Sequence, residues 1–245
     1  MTGTSPLSDL APLNTFDPAA FLPTSEWAEN VCAFVLSLAV CYNDFKDLMW
    51  ARINLQKARP EGVPQKTAEW GQYSGLDQHL FRLQIAHLHE LAKLIERNES
   101  VVSNEMFLKL INRLDQRARA SWNELVNYGL QRETANHTYS TLSRIRNKVA
   151  FHYDAGELFR SYKKRFFDEQ GKTSDEAYIS RGSDLAKTRH FYADAAAQAY
   201  FSVIMTPDEL KKVAQNIGEL TKQLNFALWQ ILDRFIQAKG YGFRS

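Results

Sequence analysis

Arg146 and His152 stand six residues apart in the string Arg146-Asn147-Lys148-Val149-Ala150-Phe151-His152. Arginine keeps its charge at every physiological pH, and its planar fork matches two phosphate oxygens. Histidine takes or gives a proton near neutrality. Cleavage of RNA beside a 2′-hydroxyl needs three things: a base for that hydroxyl, an acid for the departing 5′-oxygen, and positive charge on the transition state. One Arg/His pair supplies half of that set; two pairs supply all of it.

On a straight helix six residues turn the chain through about 600°, which leaves Arg146 and His152 roughly 120° apart. They converge if the helix end distorts before Asp154. They also complete one another if a two-fold related copy brings its own pair alongside, so a homodimer with the motif at its interface is the economical expectation. Local charge favours a polyanion. From Leu142 to Arg165 the chain carries seven basic residues against Asp154 and Glu157, a net of +5, whereas the whole chain has a net of +2. Arg144, Lys148, Tyr153, Arg160, Lys163 and Lys164 are the candidate nucleic-acid-binding residues of this focus. Among the aromatics, Tyr73, Tyr162, Tyr178, Phe191 and Tyr192 have the chemistry to stack on bases, although core packing claims most aromatic side chains.

The elements that must position these residues read as helices. Six of the seven prolines fall at or before Pro64, and residues 65–206 contain none, so helices joined by polar turns are expected there. Residues 1–24, with four prolines, read as an irregular arm. Apolar residues recurring every three or four positions predict a helix from Ser25, a second over about 76–98 and a third from Ser103 through Leu125. A fourth covers about 137–153 and carries the motif. A short amphipathic piece follows at 158–167, then a polar loop over 169–183 and a helix over 184–204. Thr206-Pro207-Asp208-Glu209 is a helix-start signal, with Thr as cap, Pro at the first position and Glu at the third. The fold class is all-α, an up-and-down helical bundle with additional C-terminal helices. Residues 25–245 form one domain, with a core bundle of about 25–153 and an extension over 156–245.

Arg146-Asn147-(x4)-His152 in an all-α chain resembles the HEPN superfamily (higher eukaryotes and prokaryotes nucleotide-binding), of the kind found in abortive-infection and toxin-antitoxin systems. Its pattern is an Arg, commonly followed by a polar residue such as Asn, with four to six residues in total between the Arg and a His; here there are five. The string from Arg144 to Asp154 carries the resemblance. It implies a helical bundle that dimerises with paired motifs in a cleft. It also implies metal-independent endoribonuclease activity, Arg146 and His152 as the catalytic pair and Asn147 as a supporting polar group. RNA is the implied substrate, and an antitoxin or a nucleotidyltransferase is a candidate partner. Members without catalysis also exist, so the same basic cleft equally suits a module that binds RNA, nucleotide or a partner protein.

Other chemistries are poorly served. His87 and His89 point about 200° apart on a helix, so they do not share one ion, and no metal or cofactor is expected. His190 and Asp194 have the spacing of an oriented His–carboxylate pair, for which a simple hydrogen bond is the plainer role. Phosphate loops, nucleophile elbows and Cys/His zinc spacings are missing from the sequence. Cys32 and Cys41 would lie about 13 Å apart along one helix, too far to bridge, which fits free thiols in a reducing compartment. No leader segment is read, and the longest uncharged stretch, 30–43, is shorter than the ~20 residues a membrane span needs. The expectation is a soluble cytoplasmic protein.

Overall fold

The computed structural model describes residues 15–131, 136–150, 154–182 and 188–241. Nine α-helices run through them: α1 (Glu29–Lys57), α2 (Ala68–Arg97), α3 (Glu99–Val102), α4 (Glu105–Asn112), α5 (Gln116–Gly129), α6 (Asn136–Ile145), α7 (Ala155–Phe166), α8 (Phe191–Ile204) and α9 (Pro207–Ala238). A 3-10 turn at Pro18–Phe21 precedes them, and a π-helical turn at Arg146–Ala150 follows α6. Among the described residues the only β structure is two isolated bridges, Phe167 with Thr173 and Ser180 with Arg189. The all-α class is therefore shown, as a helical bundle.

Helix starts follow where backbone N–H groups find acceptors. α1 begins later than Ser25 because Thr24 and Trp27 close a turn on each other first: the Trp27 amide donates to Thr24 Oγ1 at 3.1 Å and the Thr24 amide to the Trp27 carbonyl at 2.9 Å. α2 begins eight residues earlier than its apolar stripe suggests, capped by Thr67 Oγ1 on the Trp70 amide at 3.3 Å. The single helix expected from Ser103 is cut in two at 113–115, and each piece has its own side-chain cap. Asn104 accepts from the Met106 and Phe107 amides, and Asp115 accepts from Ala118 at 2.8 Å. α8 starts at Phe191 rather than near 184, with residues 188–190 non-helical and 183–187 outside the described residues.

One large apolar cluster draws on α1, α2, α4, α5, α6, α8 and α9. α5 lies along α9, and α1 packs against both α2 and α9. Phe34, Phe107 and Trp122 meet edge to face in its middle, with centroids 5.5–6.4 Å apart. Val213, Ile217, Leu224, Leu228, Ile231 and Phe235 of α9 are buried at helical spacing. The end of the N-terminal arm joins this core: Phe21 and Trp27 pack on Phe235 at 5.2 and 5.1 Å. Each fully buried side chain of this core, Phe235 among them, contributes about 1.5–3 kcal/mol. α7 and α8 form a hairpin of their own that seats on α2.

α2 is the shared bar of the molecule. It touches α1, α5, α6, α8 and the π turn. No described helix is long and apolar enough to cross a membrane. Both cysteines of α1 are free, and burial, with Asp44 adding, pushes the Cys41 thiol up to about 12, which removes it as a nucleophile.

Candidate functional site

The motif lies where α6 stops being an α-helix. After Ile145 the chain makes a π turn through Arg146–Ala150, and the Asp154 amide reaches back to the Lys148 carbonyl at 3.3 Å. π turns are rare and concentrate at functional sites. A wider turn also changes the angle between residues that a regular helix would hold apart. His152 and Tyr153 lie outside the described residues.

Arg146 is half-buried and turned toward α2. Its Nη2 and Nε donate to Glu90 Oε1 at 2.8 and 3.0 Å, and its Nη1 donates to Asn147 Oδ1 at 2.9 Å. Asn147 in turn stands 3.5 Å from Ser143 Oγ one turn earlier. The guanidinium is thus oriented from both sides, by an acid on another helix and by its own neighbour. Side-chain exposures of 26% for Arg146 and 45% for Glu90 keep the pair within reach of solvent. His89, beside Glu90, is buried, its ring 5.2 Å from that of Tyr139. Burial pulls its pKa below the ordinary histidine value; Arg146 and Lys93 add to that, and Glu90 and Glu96 oppose it.

The remaining basic candidates surround the α6–α7 junction and the C-terminal end of α8. Lys148 pairs with Asp154 at 2.5 Å, a bond that holds the lysine above its usual pKa and the carboxyl below its own. Asp154 is also the N-cap of α7, accepting from the Glu157 amide at 3.1 Å. Arg160 pairs with Glu157. Arg144 donates to the Ile204 carbonyl at 2.8 Å, and Lys164 donates to the Ser202 carbonyl. These two cations satisfy orphan carbonyls and suit the negative end of the α8 dipole. Lys163 lies over the exposed Phe159 ring at 5.2 Å.

Arg144, Lys148 and Arg160 are brought together around the buried Tyr200 of α8. Burial raises the pKa of that hydroxyl, Glu157 adds to it, and the three cations oppose it. Tyr200 and Glu90 are the residues that sequence reasoning missed. Neither stands near the motif in the chain, and an acid about six turns into an amphipathic helix carries no local signal of its partner.

The weaker pairings resolve differently. Asp194 takes Arg189 Nε at 2.8 Å, so its partner is that arginine, while the His190 ring lies against Tyr192 at 5.6 Å. Among the described residues no group of three or more His, Cys, Asp or Glu could hold a metal ion. The arrangement can orient one guanidinium, within reach of solvent, at a distorted helix end. Comparison of this chain with protein-family models, with curated proteins and with solved structures finds no match.

Proposed function

We propose that the chain is a metal-independent endoribonuclease of HEPN type, acting as a toxin or phage-defence effector. Arg146 binds the scissile phosphate and stabilises the charge that builds on it. His152 transfers the proton. In the cleavage step the 2′-oxygen loses its proton to a base and bonds to phosphorus. The bond to the 5′-oxygen breaks, and that oxygen takes a proton from an acid. A 2′,3′-cyclic phosphate and a 5′-hydroxyl result. Two copies of the chain, paired about a two-fold axis, supply the base and the acid. The observation that carries this reading is the oriented guanidinium of Arg146 on a π turn that also carries Lys148.

The test is cleavage of single-stranded RNA in the presence of a chelator. Wild type is expected to leave cyclic phosphate ends. Arg146→Ala and His152→Ala are each expected to lose at least about a hundredfold in rate, the scale of removing one transition-state donor, while their circular dichroism stays helical. Activity that survives in His152→Ala, or a monomer that cleaves at full rate, would count against it.

One feature of the geometry favours a second reading. Two nitrogens of the Arg146 fork face Glu90 and the third faces Asn147, the posture of an arginine whose task is to join α6 to α2. A non-catalytic module would then bind RNA, nucleotide or a partner protein through Lys148 and Arg160. RNA that is retarded in a gel yet stays intact over long incubation distinguishes this reading from the first.

A further inference from the structure

A cavity of about 700 Å³ opens between the N-terminal half of α2, the end of α7, the first turn of α8 and the 175–180 stretch of loop. That is the size of a small-molecule site. Two glycines of α2 make its shape possible. A Cβ at Gly71 would stand 2.6 Å from the Phe191 ring, and one at Gly75 would collide with the Arg189 guanidinium. With hydrogen in both places, the start of α8 lies directly on α2. The loop that leads into it becomes a wall.

Trp70, Tyr178 and Tyr192 supply aromatic surface to the lining. Two of these rings are held by cations of the chain, Arg59 over Trp70 at 5.4 Å and Lys66 over Tyr178 at 5.3 Å. The Tyr178 hydroxyl donates to Glu176 at 2.5 Å. The charges of the wall are matched internally. Lys66 stands 3.6 and 3.7 Å from Asp175 and Glu176, Arg165 is 2.7 Å from Asp175, and Arg189 is 2.8 Å from Asp194. A wall so balanced selects neither a phosphate nor an organic cation. It suits a neutral planar ring.

The remaining specificity comes from Gln78. Its Nε2 donates to Ser74 Oγ at 3.2 Å, whereas its Oε1 is buried and accepts from no described residue. A buried acceptor without a donor is costly and uncommon. Gln78 lines this cavity and also a neighbouring one of about 560 Å³ that runs on toward Phe81, Lys164 and Leu210.

We propose that this cavity binds a nucleobase, stacked on the aromatic wall, with the Gln78 amide turning its Oε1 into the cavity to accept an N–H. The base belongs either to a free nucleoside or to a single strand whose next residues follow the neighbouring cavity. The proposal does not depend on cleavage at Arg146.

Calorimetric titration of the full chain with each of the four ribonucleosides tests it. At least one is expected to saturate below about 1 mM, the weak end of specific binding, and its 5′-monophosphate should bind equally well. Gln78→Leu and Tyr192→Ala should each weaken binding about tenfold or more, and Arg146→Ala should leave it unchanged. For adenosine, replacing both N6 hydrogens by methyl groups should remove binding. A short single-stranded oligonucleotide that binds more tightly than the nucleoside, and loses that gain in Gln78→Leu, assigns the base to a strand; equal affinity assigns it to the free compound. Saturation by none of the four, a requirement for the phosphate, or unchanged affinity in both variants with helical content intact overturns the proposal. Should RNA cleavage fail while nucleoside binding holds, only the nuclease reading falls.

Discussion

The start of α9 and the end of α6 are both helix termini, built in opposite ways. At Thr206 every local signal agrees. The Thr206 hydroxyl accepts from the Glu209 amide at 3.3 Å, Glu209 accepts from the Thr206 amide at 2.7 Å, and Pro207 fills the first turn. The helix that follows is buried along one face for its whole length. At Ile145 the helix gives way to a π turn that opens on three charged or polar residues, of which Arg146 and Lys148 are tied by ion pairs to α2 and to the cap of α7. Sequences tend to be locally consistent where they serve stability and inconsistent where they serve something else. The contrast sets the α6–α7 junction apart from the locally consistent signals that build the rest of the bundle.

The largest expected effect lies on the α9 side. Phe235→Ala removes a fully buried ring that Phe21, Trp27 and the α9 stripe all pack against. A loss of about 3–5 kcal/mol in urea unfolding is expected. A loss below about 1 kcal/mol would mean that α9 is a peripheral addition, and the contrast between the two regions would then lose its stable pole.

The two caps allow a closer comparison. Thr206→Ala should cost about 1 kcal/mol, the ordinary worth of an N-cap. Asp154→Ala should cost a similar amount, because Asp154 caps α7. Asp154→Ser keeps a capping oxygen and removes the partner of Lys148, and should recover most of that loss, since an exposed ion pair contributes little. If Asp154→Ser is as unstable as Asp154→Ala, the Lys148 pair matters more than the cap does.

Glu90→Gln probes the junction itself. The pair with Arg146 is partly exposed, so a stability change of about 1 kcal/mol at most is expected. If the guanidinium serves phosphate, removing the competing carboxylate should tighten RNA binding in fluorescence anisotropy and slow any cleavage, because the guanidinium loses its orientation. Binding that weakens instead would show that Glu90 and Arg146 act only as a brace between α2 and α6.

What could be read along the chain, and what could not, follows the same division. The Thr206 start was legible because its signal lies within four consecutive residues. The third helix was misjudged because Leu114, buried between α4 and α5, carries the apolar stripe across the break, while Asn104 and Asp115 cap as locally as Thr206 does. The first turns of α2 were missed because Gly71 and Gly75 serve contact with α8 and add nothing to a stripe. Arg146 and Asn147 are candidates from type and spacing alone, and the π turn on which they stand is not legible in that spacing. Glu90 lies 56 residues away, and only the folded chain reveals it. Arg144 and Lys164 were read as surface cations for nucleic acid, and each holds a carbonyl at the end of α8. The same seven basic residues can stabilise a helix terminus or attract an anion, and composition alone does not separate the two.

The smallest expected effect is a pH slope. His89 and His79 both have pKa values lowered in the folded chain, chiefly by burial; Arg82 and Arg189 add to the effect at His79, and Arg146 and Lys93 at His89. The unfolded chain therefore binds more protons than the folded one wherever the pH lies near or below the ordinary histidine value of about 6.5. Stability is full above that value and declines as the pH falls through it toward the folded pKa. The carboxylates with lowered pKa values, Glu96, Asp115 and Asp154 among them, lose their contribution only at more acid pH, below the ordinary carboxylate range of about 4. A Tm that drops between pH 7 and pH 5 thus reports the histidines. His89→Gln should flatten that drop while leaving the fold helical, because it keeps a polar side chain against Tyr139 and removes the titration. His89 adjoins Glu90 in the helix, so the flattening should be accompanied by a weaker pH dependence of RNA binding in the same interval. An unchanged slope in His89→Gln would place the titration at His79, and would move the acid-sensitive point about three turns along α2, toward the α2–α8 cavity.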